Sequence, residues 1–317
     1  MQITLQLSPP DAPLTLAVFI NAAGPNVFLE NIMQTVYSIS GNIGMEDFGF
    51  YIVFDKQSVA NSFFAMVCDN SLLMSHILDI SVSHDSWAST FNVFFQKFRR
   101  ITRYIMIAHD DIIINTPLFW ESCQRIITTS RNPIGWITFT NDAYYRFNGI
   151  PLSNSIRPGF APDRQNRRTF EWHNVKEEKL TPKISQLMDL PSGPVKCHGV
   201  LSHIMLISVE ALSRIGECED WSKYTMLIDE DWSLCALKNG FTNIWIPSVV
   251  YTHPNPYNAR KRIRDLRFER MVHEQFKKKW ACEPPYTEED IRLIKENYSG
   301  TNLVWSIERK TYEWDYL

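Results

Sequence analysis

Two short acidic clusters and one late histidine hold the residues best suited to chemistry. In "RYIMIAHDDIIINTPLFW", Arg103–Trp120, His109, Asp110 and Asp111 stand between two apolar runs. Carboxylates set there are costly unless a cation or hydrogen-bond donors meet them. Two carboxylates with an imidazole suit Mg2+ or Mn2+, ions that commonly take substrate phosphates as further ligands. The same acids could instead cap the following turn or pair with Arg99, Arg100 or Arg103. The second cluster, Asp229–Glu230–Asp231, opens a helical pattern. Acids at that position are stabilised by free N–H groups and the helix dipole, and one of them could also serve as a general base. His253 follows an apolar run and precedes Pro254, where it is either structural or a ligand.

The elements that must position these residues alternate in type. "LTLAVFINAAGPN", Leu14–Asn26, reads as a strand ending near Asn21, and "FLENIMQTVYSIS" follows at helical spacing. "FGFYIVFDKQS" is a second strand ending in Asp55; a less regular helix over 61–69 and one over Ser86–Arg100 lead to the strand Tyr104–Ala108. Further strands are expected at Trp136–Thr140 and Asn243–Tyr251. "CHGVLSHIMLISVEALSRIG" reads as a strand then a helix, and a helix from Asp231 ends at Asn239–Gly240. Strand–helix alternation predicts an α/β fold with a mostly parallel central sheet covered by helices. Ligands of such sheets sit outside the carboxyl ends of the strands, where Asn21, Asp55 and His109–Asp111 all fall.

The segment 147–196 is irregular, rich in proline, and carries Arg164, Arg167 and Arg168, which suggests a mobile loop covering a substrate. "NARKRIRDLRFERMVHEQFKKKW" then reads as a strongly basic helix, whose charges either face solvent or reach towards phosphates.

Composition bounds the rest. With 317 residues, 44% hydrophobic and 21% charged, the chain can bury a large core, and a net charge of −3 gives no reason to expect nucleic acid as a partner. The six cysteines lack CxxC spacing, so buried thiols in a reducing compartment are expected rather than disulfides or a zinc knuckle. The apolar run around Leu14–Ile20 is too short to span a bilayer and no basic leader precedes it. A cytoplasmic protein is the expectation, with contact to a membrane surface left open.

In order and context, strand–"FDKQS", strand–"HDD", "HGVLSHIMLIS", "DEDWSLCALKNGF" and "IWIPSVVYTHP" resemble the GT-A glycosyltransferases, in particular the family-2-like, rhamnosyltransferase-like group. The resemblance covers roughly residues 14–255. It implies a GT-A (Rossmann-like) domain over 1–255, with a nucleotide-sugar half to about 115 and an acceptor half from 116, followed by a helical extension over 256–317. It further implies a hexosyl- or pentosyltransferase that moves a sugar from a nucleotide-diphosphate sugar to a hydroxyl on a glycan, lipid-linked or protein-linked acceptor, with Mn2+ or Mg2+ as cofactor. On this pattern Asp55 contacts the base, with Asn21, Asp110 and His109 beside the nucleotide. Asp111 and His253 hold the metal, and Asp231, with Glu230 second, is the base of an inverting reaction. His109 stands where the family's DxD motif begins, "INAAG" replaces a more polar turn, and Ser233 replaces a further acid. Two other readings use the same residues: a metal-dependent phosphohydrolase or nucleotidyltransferase, and an inactive carbohydrate-binding protein.

Overall fold

A computed structural model describes residues 5–6, 13–22, 28–141, 145–147, 150–152, 193–197, 200, 203–219, 227–253, 266–282, 292–294, 302–306 and 311–315. Most of the loop expected over 147–196, including its arginines, lies outside the described residues, as does most of the basic stretch before Leu266.

In chain order the first half comprises β1 (Leu5–Gln6), β2 (Leu14–Ala22), α1 (Leu29–Asn42), β3 (Phe48–Phe54), α2 (Gln57–Val67), α3 (Ser71–Met74), β4 (Ile77–Val82), α4 (Trp87–Phe98) and β5 (Thr102–Ala108). Next come β6 (Ile113–Ile114), α5 (Phe119–Thr129), β7 (Ile134–Asn141), β8 (Tyr145–Phe147), β9 (Ile150–Leu152), β10 (Val195–Cys197) and β11 (Ile204–Ser208). The remainder is α6 (Val209–Ile215), α7 (Ile228–Lys238), β12 (Thr242–Thr252), α8 (Leu266–Trp280), β13 (Asn302–Ser306) and β14 (Thr311–Asp315).

One sheet runs β1-β4-β3-β2-β5-β11-β7-β12-β10, with β6 added to β12. Strands β4, β3, β2 and β5 are mutually parallel, as the alternation predicted. The sheet becomes mixed at β11, which runs antiparallel to both β5 and β7, while β7 and β12 are again parallel. Two small antiparallel pairs, β8–β9 and β13–β14, stand apart from it. The C-terminal extension therefore holds a strand pair besides its helix.

Period-two alternation makes this a three-layer molecule. Along β2, Leu16, Val18 and Ile20 point into one apolar layer with residues of α1, α2 and α5. Ala17 and Phe19 point into the other, with residues of α4, α6 and α7. Burial on both faces explains why the strand reads as a continuous apolar run. The second layer is aromatic: Phe19 meets Phe91 and Trp87 edge-on, and Trp232 of α7 meets Phe91 and Trp136. Cys123 and Cys197 are buried thiols within these layers. No helix among the described residues is long and apolar enough to cross a membrane.

Helix α7 is fixed to the sheet by side-chain amides as well as by apolar contact. Asn243 at the start of β12 accepts from the Trp136 N–H at 3.1 Å and donates to the Ser233 carbonyl at 3.1 Å. The Trp136 indole donates to the Trp232 carbonyl at 3.2 Å. Gly135 leaves room for this arrangement: a Cβ there would stand 2.7 Å from Asn243 Oδ1 and 2.9 Å from Ala236 Cβ. Gly135→Ala is expected to destabilise the fold by about 1–3 kcal/mol, as overpacking does. A shifted urea midpoint at unchanged slope would show it; an unchanged midpoint would mean the helix gives way freely.

Candidate active site and imidazole cluster

Topology alone brings the chemistry to one edge. Register pairs Ala22 with Phe54 and Ile20 with Ala108, so β2, β3 and β5 end at one level. Asn21 is the penultimate residue of β2, while Asp55 and His109 follow the last residues of β3 and β5. Because β11 runs the other way, it enters from that same edge: Ile204 pairs with Ala108, which places His203 beside His109. The His109 N–H donates to the His203 carbonyl at 2.8 Å. Strand β12, running with β5, delivers His253 from its far end. Finally β6 folds back on β12, pairing Ile113 with Thr252, and this sets Asp111 against His253. His253 Nε2 lies 2.7 Å from Asp111 Oδ1.

The backbone after "HDD" is held by α1. Thr35 Oγ1 accepts from the Ile112 N–H at 2.9 Å, and Ser38 Oγ accepts from the Ile114 N–H at 3.2 Å. Asn42 donates to the Ile114 carbonyl at 3.0 Å. These bonds answer much of the cost of placing polar backbone between two apolar layers.

His109, His203 and His253 form a cluster in which one ring nitrogen of each lies within 4.8 Å of the others. Their ring centroids are 5.1, 5.4 and 4.4 Å apart, and the Tyr251 hydroxyl stands 3.3 Å from His203 Nδ1. Desolvation, then the neighbouring His253, hold the His109 imidazole down to about 4. Desolvation and the same neighbour, with His109, hold His203 well below the usual range. Both rings are thus neutral at physiological pH, the form that ligates metals. Desolvation and the adjacent Asp111 push the Asp110 carboxyl up to about 7. Three imidazoles with a carboxylate match the donor chemistry of a divalent transition metal.

The acidic turn of α7 divides its members between two surroundings. Leu227, in the left-handed region at φ 58°, leads into the helix. Asp231 is 3% exposed and turned towards α8. Its oxygens accept from the Trp280 indole at 2.6 Å and from Lys279 Nζ at 2.9 and 3.0 Å; Lys279 also meets Glu219 at 2.6 Å. Burial raises the Asp231 carboxyl, with Lys279 opposing it. Around it Leu234, Leu237, Phe276 and Trp280 form a separate apolar cluster. Glu230 is half-buried and its N–H donates to Asp229 Oδ1 at 3.2 Å. Asp229, half-buried, is the acid of this turn whose charge acts on His109. Ser233 does structural work, accepting from the Val200 N–H at 2.9 Å and donating to the Asp229 carbonyl at 2.5 Å.

Of the residues named from sequence, His109, Asp111 and His253 come together, with Asp110 between the first two. Asn21 and Asp55 share their sheet edge. His203 was not singled out, and Asp229 was named only as a member of its acidic cluster. His203 had one visible signal, a histidine directly before a strand in "HGVLSHIMLIS"; only the antiparallel course of that strand shows which edge it reaches.

No family model and no curated protein matches the sequence. Among solved structures, the chain is similar to GalNAc-T7 with UDP, GalNAc and Mn2+, at 13% identity and a TM-score of 0.48 over 77% of this chain. It is likewise similar to S. aureus TarS 1-349, at 11% identity and a TM-score of 0.49 over 90% of this chain. The chain spans 44% of the first and 70% of the second. Likeness at this level assigns no family and no activity to the chain.

Proposed function

We propose that this protein is a glycosyltransferase that moves a sugar from a nucleotide-diphosphate donor to an acceptor hydroxyl with inversion, using a divalent ion at the imidazole cluster. One observation carries the reading: strand ends bearing Asn21, Asp55, His109–Asp111, His203 and His253 converge on one sheet edge, where the three imidazoles cluster. A bound ion would neutralise charge developing on the departing diphosphate. His109, His203 and His253 would hold it, with Asp111 bracing the His253 ring. Asp55 and Asn21 stand along the edge on the side of the parallel half, where the GT-A resemblance puts the nucleotide.

The attacking hydroxyl must lose a proton to a carboxylate within hydrogen-bond reach. In our reading Asp229 accepts it. Asp231 and Glu230, the choices from sequence, sit in the same turn, but the Asp231 carboxylate is enclosed by Lys279 and Trp280, whereas Asp229 is half-buried and its charge is felt at His109. The acceptor is a hydroxyl of a glycan or of a lipid- or protein-linked carrier.

A panel of nucleotide-sugars tests this, assayed with acceptor mixtures in the presence and absence of divalent ions. Metal-dependent release of nucleoside diphosphate, coupled to loss of the sugar from the donor, is expected for at least one donor. Cleavage of the diphosphate itself, giving nucleoside monophosphate and sugar 1-phosphate with the sugar–phosphate bond intact, would replace the reading with phosphohydrolase or nucleotidyltransferase chemistry. Binding of a donor without turnover would leave a carbohydrate-binding protein.

A further inference from the structure

We propose that His109, His203 and His253 are the ligands of a three-imidazole metal centre, with Asp111 orienting His253, and that this centre selects Zn2+ and Co2+ over Mn2+, and Mn2+ over Mg2+. This rests on the metal-dependent reading above, and narrows it against the Mg2+ that a carboxylate pair would favour.

The argument starts from donor type. Mg2+ and Ca2+ take oxygen ligands, and Mg2+ surrenders its waters reluctantly; imidazole nitrogen suits zinc, cobalt and the later first-row ions. The "HDD" motif read as two carboxylates and one imidazole, an oxygen-rich set. The fold reverses that ratio, because the antiparallel entry of β11 and the end of β12 add two imidazoles to the one that follows β5. Zinc–nitrogen bonds of about 2.1 Å in a tetrahedral centre put ligand atoms about 3.4 Å apart. Nitrogens already within 4.8 Å of one another need ring rotations on the order of an ångström to close on an ion.

Polar partners brace two of the three rings. Asp111 Oδ1 stands 2.7 Å from His253 Nε2, a carboxylate set directly against that ring. The Tyr251 hydroxyl stands 3.3 Å from His203 Nδ1. A carboxylate behind a ligating histidine is the usual support of such centres, fixing the tautomer and raising the basicity of the ring. Tyr251 is itself fully buried in β12, in register with Ile114 of β6, so His203 and His253 are oriented by the same pair of strands.

The test uses the full chain, without a histidine tag and stripped of metal by a chelator. Co2+ titration is followed by visible absorption, and Zn2+, Mn2+ and Mg2+ by calorimetry. Expected are one equivalent of Co2+ with ligand-field bands of a nitrogen-rich site, and Zn2+ binding at least about a hundredfold tighter than Mg2+. His203→Ala should abolish the Co2+ bands and weaken Zn2+ by more than the roughly ten- to hundredfold that loss of a supporting residue costs. Asp111→Asn should weaken Zn2+ within that range and keep the bands. His109→Gln serves as a second ligand variant should His203→Ala lose its native circular dichroism. Mg2+ binding as tightly as Zn2+, or a Co2+ spectrum indifferent to His203 and His109 but lost in Asp111→Asn, would overturn the proposal. No sugar donor enters this experiment, so its failure leaves the transferase reading to its own assay, and the failure of that assay leaves the metal centre to this one.

Discussion

Asp229→Asn is expected to lower the turnover number of sugar transfer by about two to four orders of magnitude, the size of a general-base contribution. The substitution keeps the shape of the side chain and an oxygen able to accept from the Glu230 N–H, now 3.2 Å from Asp229 Oδ1. Asp229 lies in the first helical turn, so loss of its charge forfeits only about 0.3–1 kcal/mol of helix-dipole stabilisation, and stability should move little. Donor affinity measured by calorimetry should also hold, because the base acts on the acceptor hydroxyl. A loss of donor or metal affinity in parallel with rate would make Asp229 a ligand. Near-normal turnover would remove it from the mechanism.

Asp231→Ala should give the opposite pattern: a less stable protein whose folded fraction turns over within a few-fold of the parent. The substitution strands the Trp280 indole and takes an acidic partner from Lys279. Breaking a buried ion pair costs about 3–5 kcal/mol. The lower end applies, since the Lys279 side chain is 25% exposed and keeps Glu219, so about 3 kcal/mol is expected. Replacing both partners, Asp231→Leu with Lys279→Met, should recover much of that loss, as apolar substitutes for buried pairs often do. Thermal denaturation of the single and double variants reads this directly. A fully stable Asp231→Ala protein with turnover reduced a thousandfold would return the base to Asp231.

This contrast shows what was legible in the sequence. Long, mainly apolar runs gave away β2, β3, β5, β7 and β12, because burial on both faces leaves few polar interruptions. β4 was not read as a strand: Asp79 sits in its middle, and only the fold supplies Lys97 of α4 to answer that buried charge. α5 was passed over as well, since it opens on Leu118 in the left-handed region with no side chain capping it. Within the site, His109, Asp111 and His253 could be picked out as strand-end residues. The partners of Asp231 could not, because Lys279 and Trp280 lie in a stretch that reads as one solvated basic helix. Nor could the edge that His203 reaches, which depends on the direction of β11 and not on any local pattern.

The sheet order has a consequence for synthesis. β5 is paired on one side by β2, and both belong to the half of the chain that leaves the ribosome first. Its other side stays open until β11, made much later, arrives to cover it. During that interval an edge with the sequence "TRYIMIA", apolar on both faces, is a template for unwanted pairing between nascent chains. Arg103, exposed near its start, is a charge of the kind that discourages such pairing. The strand that closes the edge also carries in His203, so quality of assembly and completeness of the site are decided in one step, and a chain that misfolds at β11 arrives without its cluster.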